Sequence, residues 1–156
     1  MTSRTESNAS ATGAIYLGLF LIALATLMHE ILLTRIFSVA MWYHFAFMAV
    51  SVAMFWMTVG ALVVYLKPGW FDQPRVTEHL SRHARHFSLS LVVSFMIYVF
   101  IPFGSDKLAE LFLGVISLAS IYAVIAVPFI FSGICVCLSL TRFPGEIARL
   151  YAADLA

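Results

Sequence analysis

The sequence predicts an all-α, polytopic helical membrane protein with four transmembrane helices, both termini on the cytoplasmic side, and the start of a further helix. Of its 156 residues, 62% are hydrophobic and only 11% are charged, whereas soluble domains average about 45–50% and about 25%. The mean hydropathy of +0.97 agrees with this imbalance. Nine Lys and Arg with eight Asp and Glu are too few to coat a soluble domain of this length. Lipid is therefore the expected solvent for most of the chain.

A polar tail precedes the first two predicted spans. Residues 1–13 show no apolar periodicity, and we expect them to form a disordered cytoplasmic tail. Residues 14–38 and 42–66 are two nearly uninterrupted apolar runs, each long enough to cross a bilayer at about 1.5 Å per helical residue. A Lys-Pro-Gly sequence at residues 67–69 ends the second run, because proline removes a helical hydrogen bond.

A polar connection separates these spans from two more. Residues 67–86 are the only long polar stretch and are predicted to form a cytoplasmic loop. The third span, residues 87–103, is the shortest of the four. The fourth, residues 108–140, contains Pro128 and is predicted to be one span with a kink near its middle, because two short spans would leave almost no turn between them. The predicted four-helix transmembrane domain thus covers residues 14–140.

The last residues have the pattern of a new helix. A Pro-Gly break at residues 144 and 145 is followed by EIARLYAADLA, in which apolar residues recur at helical spacing. We therefore predict that residues 141–156 form a cytoplasmic turn and the start of a fifth helix. Because a domain usually completes its last element, we expect this chain to be the N-terminal part of a longer, truncated protein.

The distribution of Lys and Arg predicts the orientation in the membrane. If the chain crosses four times, one side collects seven of these residues and the other side two. Since loops rich in Lys and Arg stay in the cytoplasm, both termini are expected to be cytoplasmic. The larger group is Arg4, Lys67, Arg75, Arg82, Arg85, Arg142 and Arg149, and the smaller group is Arg35 and Lys107.

The polar connection carries arginines and closely spaced histidines. On a helix, the histidine spacing would place two imidazoles on one face, as zinc sites require. No carboxylate or cysteine completes such a set, so a basic segment that contacts anionic lipid is the favoured interpretation. A net charge of +1, without a basic groove, argues against a nucleic-acid partner. The residues are Arg75, Arg82 and Arg85 with His79, His83 and His86.

Glu30 is the most informative single residue of the predicted membrane domain. A carboxylate inside the first span costs a few kcal/mol when it faces lipid, so we expect it to face the bundle interior. Arg35 lies about 140° away around the helix, and a partner for Glu30 must come from another helix or from His29. One interpretation is a transport or ion-coupled module in which Glu30 and Asp154 line a pathway. The other interpretation is structural: Glu30 forms a polar contact between helices, or it is an interfacial residue of a helix that ends earlier than residue 38.

His29 and His44 offer a second kind of site. Imidazole is a common axial ligand of haem iron, so the two residues would bind haem or a metal if the first two spans brought them together. A packed or hydrogen-bonded histidine is the favoured alternative. Cys135 and Cys137 lack the two-residue spacer of redox motifs and are interpreted as packing residues. The sequence contains no phosphate- or dinucleotide-binding loop, and we predict no catalytic residue in this chain.

Small residues recur at four-residue spacing in three of the predicted spans, which would allow close helix contact. This pattern does not determine the oligomeric state, and it is compatible with a homo-oligomer. The pairs are Ala14 with Gly18, Ala49 with Ala53, and Ala119 with Ala123.

Two segments resemble a known family. In LFLIALATLMHEILLTRIFSV, the residues Glu30, Thr34 and Arg35 resemble the E-x-x-x-T-R pattern that ends the first helix of membrane-embedded spermidine synthase-like proteins. VPFIFSGICVCLSL, followed by GEIARLYAADLA, resembles that family's proline-containing span and the R-x-Y-x-x-D-L segment of its next helix. Tyr151 and Asp154 match this second pattern. His29 departs from the family, in which an aromatic residue, usually tyrosine, precedes the glutamate.

The resemblance implies a particular architecture. It implies a multi-spanning domain in the bacterial inner (plasma) membrane, followed by a cytosolic domain similar to polyamine aminopropyltransferases. Such a domain would use decarboxylated S-adenosylmethionine as a substrate, and its catalytic aspartates and glycine-rich loop would lie beyond Ala156. The implied partner of this membrane domain is thus the C-terminal cytosolic domain of the same protein, which it would anchor or regulate. No catalytic residue is carried over to this chain.

Overall fold

In the computed structural model, the described residues are 13–40, 44–67, 69, 76–100, 109–143 and 147–155, and they form five α-helices without a strand among them. The all-α prediction is therefore confirmed for these residues. The helices are α1 Gly13–Ala40, α2 His44–Leu66, α3 Val76–Phe100, α4 Ala109–Arg142 and α5 Ile147–Leu155.

Three of the helices are long and apolar enough to cross a membrane. The segments are Gly13–Val39 in α1, Ala46–Leu66 in α2 and Ala119–Arg142 in α4, with mean hydropathies of 2.0, 2.2 and 2.5. They overlap with the first, second and fourth predicted spans. The fourth is a single helix that continues through Pro128, so the prediction of one helix in place of two short ones is confirmed.

Helix α3 differs from the other three. It begins at Val76, so the stretch predicted as a loop over residues 67–86 is helical from Val76 onward. Its first part exposes Arg82 and Arg85, and only the part from Phe87 to Phe100 is continuously apolar or uncharged. That part is about 20 Å long, shorter than the roughly 30 Å of a bilayer core. The end of the predicted third span, residues 101–103, lies outside the described residues.

Helix α4 is the centre of the bundle. In its most apolar stretch, 61% of the residues are buried, against 28% in α1 and 22% in α2. It packs against all four other helices, while the outer faces of α1, α2 and α3 expose large apolar side chains. This distribution suits a protein whose outer surface meets lipid. Representative exposed residues are Leu17, Leu27, Ile31, Phe47, Phe55, Leu89 and Phe95.

Ring and hydroxyl contacts define the register between α1 and α4. Phe37, near the end of α1, stacks on Tyr122 of α4 with ring centroids 5.4 Å apart. Thr26, three turns earlier on α1, contacts Ser132, which lies later on α4. Because residues later in α1 contact residues earlier in α4, the two helices are antiparallel.

Two glycines let α2 and α4 approach backbone to backbone. A Cβ added at Gly60 would collide with the carbonyl oxygen of Ile130, and a Cβ added at Gly133 would collide with the carbonyl oxygen of Met57. Each glycine thus fits against the backbone of the other helix, and a side chain at either position would force the helices apart. This contact holds the relative position of α2 and α4.

Helix α5 closes one end of the bundle. Leu150, which is fully buried, shares one apolar cluster with Ile15 and Leu19 of α1 and with Leu138 of α4. These contacts give α5 a packed face, and residues outside that face, such as Tyr151, are exposed. The further helix that the sequence predicts therefore exists and folds back onto the first span.

Candidate intramembrane polar site

Polar side chains of α1 face α4 in the middle of the bundle. Thr26 and His29 lie one turn apart on the buried face of α1, with exposed fractions of 6% and 4%. Opposite them on α4, Ser132 is fully buried, and the ring of Phe129 lies 5.6 Å from that of His29 at an interplanar angle of 33°. These residues form a polar contact between two helices that are otherwise apolar.

The hydrogen bond between Thr26 and Ser132 has a definite direction. The Thr26 hydroxyl donates to the carbonyl oxygen of Ile22 at 2.7 Å, and its Oγ1 lies 2.8 Å from Oγ of Ser132. Since a hydroxyl has one hydrogen to donate, Ser132 is the donor to Thr26. Both hydroxyl hydrogens are thus used, and this bond links α1 to α4.

His29 is different, because one of its polar atoms is not satisfied. Its Nε2 is buried and has no hydrogen-bond partner among the residues that the structure describes. Its ring packs against the apolar ring of Phe129. A polar atom buried without a partner costs about 1–3 kcal/mol by the protein mutational scale. His29 shares this property with Tyr16 of α1, whose hydroxyl is also buried without a described partner.

A second unsatisfied group lies on α3. Ser94 is 2% exposed, and its Oγ has no hydrogen-bond partner in the described part of the chain. Ile22 of α1 and Phe87 of α3 share one buried cluster, and His29 and Ser94 each lie seven residues, or about 10 Å, beyond their cluster member along their own helix. We call Thr26, His29, Ser94 and Ser132 the buried polar layer.

Pro128 adds an acceptor to this part of α4. Proline has no N–H group, so the carbonyl of Val124 lacks its usual helical donor. Pro128 is fully buried and precedes Ser132 by one helical turn. The buried polar layer thus combines a satisfied hydroxyl pair with an imidazole and a hydroxyl that each lack a described partner, and the carbonyl of Val124 is a further acceptor on α4. Such a set can bind water, a proton or a small polar ligand.

Glu30 and Arg35 are not brought together. Glu30 is half-buried on α1, about 100° around the helix from His29, and forms no described ion pair with Arg35 or with any other described residue. Arg35 is exposed. The Thr34 hydroxyl donates to the carbonyl of Ile31 at 2.8 Å and is satisfied within its own helix. The E-x-x-x-T-R segment is thus a surface of α1 beside the buried polar layer.

Asp154 lies away from the other predicted site residues. Its helix packs through Leu150 against Ile15 and Leu19, and His29 is about 15 Å further along α1 from Leu19. Asp154 is half-buried, and this burial raises the pKa of its carboxyl group. Glu30 and Asp154 therefore lie at different levels along the bundle.

His29 and His44 are also far apart along the bundle. His44 is the first residue of α2, whereas His29 precedes the end of α1 at Ala40 by eleven residues, or about 16 Å. One metal ion or haem iron bound by both would require the imidazoles to meet at the same depth. Among the described residues, no three His, Cys, Asp or Glu side chains are placed to hold a metal ion.

The histidines of α3 contact an aromatic side chain. The rings of His83 and His86 lie 6.0 and 5.6 Å from that of Phe131 on α4, and 6.4 Å from each other. Burial lowers the pKa of His83, and the charge of Arg82 lowers it further. This packing holds the first part of α3 against α4, and the arginines of the segment point outward. Arg75 lies outside the described residues.

The cysteines lie in helix contacts. Cys135 is fully buried and shares a cluster with Ile22 and Phe87, and the thiol of Cys137 donates to the carbonyl of Ala61 at 3.6 Å. Both are free thiols. Their surroundings agree with the interpretation that they are packing residues.

Sequence reasoning identified His29 but missed the residues that surround it. Thr26 and Ser132 are separated by 106 positions, and their contact depends on the helix register. The available signal was helical spacing, since Thr26 and His29 lie three positions apart on one face.

A comparison of this chain with protein-family models, with curated proteins and with solved structures finds no match.

Proposed function

We propose that this chain is the N-terminal integral membrane domain of a spermidine synthase-like protein, which anchors or regulates a cytosolic aminopropyltransferase-like domain. The resemblance of two segments to that family is the basis of the proposal. The observation that supports it best is that these segments, distant in sequence, pack together: α1 bonds to α4 through Thr26 and Ser132, and α5 packs on α1 through Leu150. Helix α5 would then connect the bundle to the cytosolic domain.

The coding sequence beyond Ala156 and the activity of its product test this proposal. We expect a glycine-rich loop and an acidic pair to follow, and membranes containing the full product to transfer aminopropyl groups from decarboxylated S-adenosylmethionine to an amine. Leu150→Glu should lower membrane-bound activity because it detaches the buried face of α5, whereas Ala152→Glu, on the exposed face, should not. A continuation without that loop, or membranes without transfer activity, would reject the proposal.

The proposed topology has four crossings, with both termini in the cytoplasm and the domain in the bacterial inner membrane. Helix α3 is the third crossing in this scheme, and the exposed apolar side chains of Leu89, Phe95 and Phe100 support it. A periplasm-active reporter fused after Ser105 should be active, and one fused after Pro74 should be silent. The reverse activities would overturn the orientation, and silence of both fusions would overturn the third crossing.

A transport or proton-coupled function is the second candidate. The observation that favours it is His29, whose buried Nε2 lacks a partner among the described residues, as does the buried hydroxyl of Ser94. In this proposal the buried polar layer transfers a proton or a small polar ligand, and Glu30 contributes the charge at its edge. The two functions are compatible, because a membrane domain of this kind can also supply substrate to a cytosolic enzyme.

Reconstituted vesicles test the transport function. His29→Phe and Glu30→Gln should each abolish proton-coupled uptake of polyamines, the first by removing the imidazole and the second by removing the charge. Thr34→Val is the matched control, because its hydroxyl is satisfied within α1, and it should leave uptake unchanged. Uptake that survives both substitutions, or that is absent from vesicles with the unmodified protein, would eliminate this candidate.

A further inference from the structure

The first three turns of α3, residues 76–86, have one packed side and one open side. On the packed side, Val76 is buried in a cluster with Leu138 of α4, and Leu80 packs against that cluster. On the side of α1, Leu80 lines an apolar cleft of about 210 Å³. A Cβ added at Gly18, which lines the cleft from α1, would meet no heavy atom within 4 Å. Because α1 supports this segment so little, its position depends on α4.

Two histidines take part in the contact of this segment with α4. The rings of His83 and His86 lie 6.0 and 5.6 Å from the ring of Phe131. Phe87, which follows them, is 5% exposed and shares a buried cluster with Cys135, and from Phe87 onward α3 is an apolar helix. The imidazoles are thus the titratable part of the contact between α3 and α4, and Phe87 marks the end of the titratable segment.

Protonation of these imidazoles would place like charges against an apolar face. One imidazolium is attracted to the face of Phe131, but His83 and His86 share that ring with their own centroids 6.4 Å apart, so their charges repel each other. The segment already carries two exposed arginines, Arg82 and Arg85, and only one glutamate. Protonation of its three histidines adds three more positive charges.

The elements that share buried clusters with this segment offer little negative charge in return. Their cations at this end of the bundle are Arg142 of α4, Arg149 of α5 and Lys67 after α2, and their one described carboxylate is that of Asp154 on α5. The other titratable groups described there are neutral at pH 7 by their ordinary pKa values. They are Tyr16 of α1, Tyr65 of α2, Cys135 and Cys137 of α4, and Tyr151 of α5.

His83 links the packing of the segment to pH. Burial lowers the pKa of His83, and the charges of Arg82, His86 and His79 lower it further. In a detached segment the imidazole would be solvated, and its pKa would return to about 6.5. The detached state therefore binds the proton more tightly, so detachment becomes more favourable as the pH falls below about 6.5.

We propose that residues 76–86 are a pH-sensitive segment, which packs on α4 while His83 and His86 are neutral and detaches from α4 when they are protonated, with Phe87 as its fixed end. Detachment would open the cleft between α1 and α3, because Leu80 and Ala84 form its wall. The argument depends on contacts among the described residues and not on the proposed function or topology.

Hydrogen exchange of the full chain in detergent micelles, measured at about pH 7.5 and about pH 5 and corrected for the intrinsic pH dependence of exchange, tests this proposal. For the amides of residues 80–86, we expect the opening equilibrium to rise up to about tenfold at the lower pH, the factor that corresponds to one unit of pKa difference. The amides of α2 should keep their protection. His83→Gln should remove the rise, whereas His44→Gln, at the first residue of α2, is the matched control and should retain it.

The two arginines of the segment provide a second matched pair. Arg82→Gln should reduce the rise, because the charge of Arg82 acts on His83. Arg85→Gln removes the same charge from the same helix, but Arg85 lies about 160° from His83 around α3, and this variant should keep the full rise. Equal effects of the two substitutions would reject a specific role for His83.

Several other results would overturn the proposal. Equal protection of residues 80–86 at both pH values would reject the pH-sensitive segment, and a simultaneous loss of protection in α2 would show unfolding of the whole bundle instead. An undiminished rise in His83→Gln would exclude His83 as its source. If that variant does not fold, Phe131→Leu is the alternative test: it removes the ring contact and should open the segment at about pH 7.5, and unchanged protection would reject the contact.

Discussion

Gly133→Ala tests the backbone contact between α2 and α4. The added Cβ would lie 2.9 Å from the carbonyl carbon of Met57 and 3.1 Å from its Cα, and it would be closer still to the carbonyl oxygen. Ordinary carbon–oxygen contacts of this kind are about 3.3–3.6 Å long, so the helices must separate by about 1 Å. Overpacking of this size costs about 1–3 kcal/mol, and the weakened Cα–H···O contacts add about 0.5–1 kcal/mol.

The intrinsic preference of alanine for the helix offsets part of this loss. Alanine is favoured over glycine by about 1 kcal/mol in a helix interior, so the net destabilisation should be about 0.5–3 kcal/mol. Gly18→Ala is the matched control, because its Cβ meets no atom within 4 Å. That variant should gain up to about 1 kcal/mol.

Thermal unfolding in detergent micelles provides the measurement. With a shift of roughly 2–4 °C per kcal/mol for a chain of this size, Gly133→Ala should unfold at a lower temperature than the unmodified protein, and Gly18→Ala at the same or a higher one. Gly60→Ala should behave like Gly133→Ala, because its Cβ faces the backbone of Ile130. If both alanine variants at the contact matched Gly18→Ala, the close approach of α2 and α4 would be refuted.

Three further predictions concern the polar groups. A double-mutant cycle of Thr26→Val and Ser132→Ala, measured by the same unfolding assay, should give a coupling free energy of about 0.6–1.7 kcal/mol, the range for hydrogen bonds between membrane helices. A coupling of zero would show that the two hydroxyl groups form no stabilising hydrogen bond. His29→Phe should raise the unfolding temperature, since it replaces an unsatisfied polar atom by a ring that suits Phe129; a lower temperature would show that Nε2 has a stabilising partner. Burial and the charge of Arg82 lower the pKa of His83, so the native protein binds this proton less tightly than the unfolded chain. Stability should then fall as the pH drops below about 6.5, and His83→Gln should reduce that slope; an identical slope would exclude His83 as its source.

Hydropathy was sufficient to predict the long spans, because a run such as residues 14–38 leaves lipid as its only suitable solvent. The start of α3 was missed for the opposite reason. Its first turns contain charged residues that dominate the hydropathy, although Val76, Leu80 and Phe87 recur at helical spacing and form its buried face. The amphipathic pattern at the start of α3 is short and lies inside a polar stretch, so it was not interpreted as a helix.

The polar site was predicted only in part. The cost of exposing a carboxylate to lipid predicts that Glu30 faces the bundle interior, whereas His29 was considered as a packed residue or a haem or metal ligand. The structure buries His29 and leaves Glu30 half-buried, because the rotation of α1 depends on its contacts with α4. Two other features arise only when the helices pack together, and local sequence does not predict them. They are the backbone contact at Gly60 and Gly133 and the register of α4 against its neighbours.

The central position of α4 has a consequence for biosynthesis. Helices α2 and α3 pack on opposite sides of α4, through Gly133 and Phe131 respectively, and α4 follows both of them in the chain. During translation α1, α2 and α3 are therefore made before the helix that joins them. In that interval Thr26 lacks the hydroxyl of Ser132, and a nascent chain arrested before α4 would leave this polar side chain without its partner on another helix.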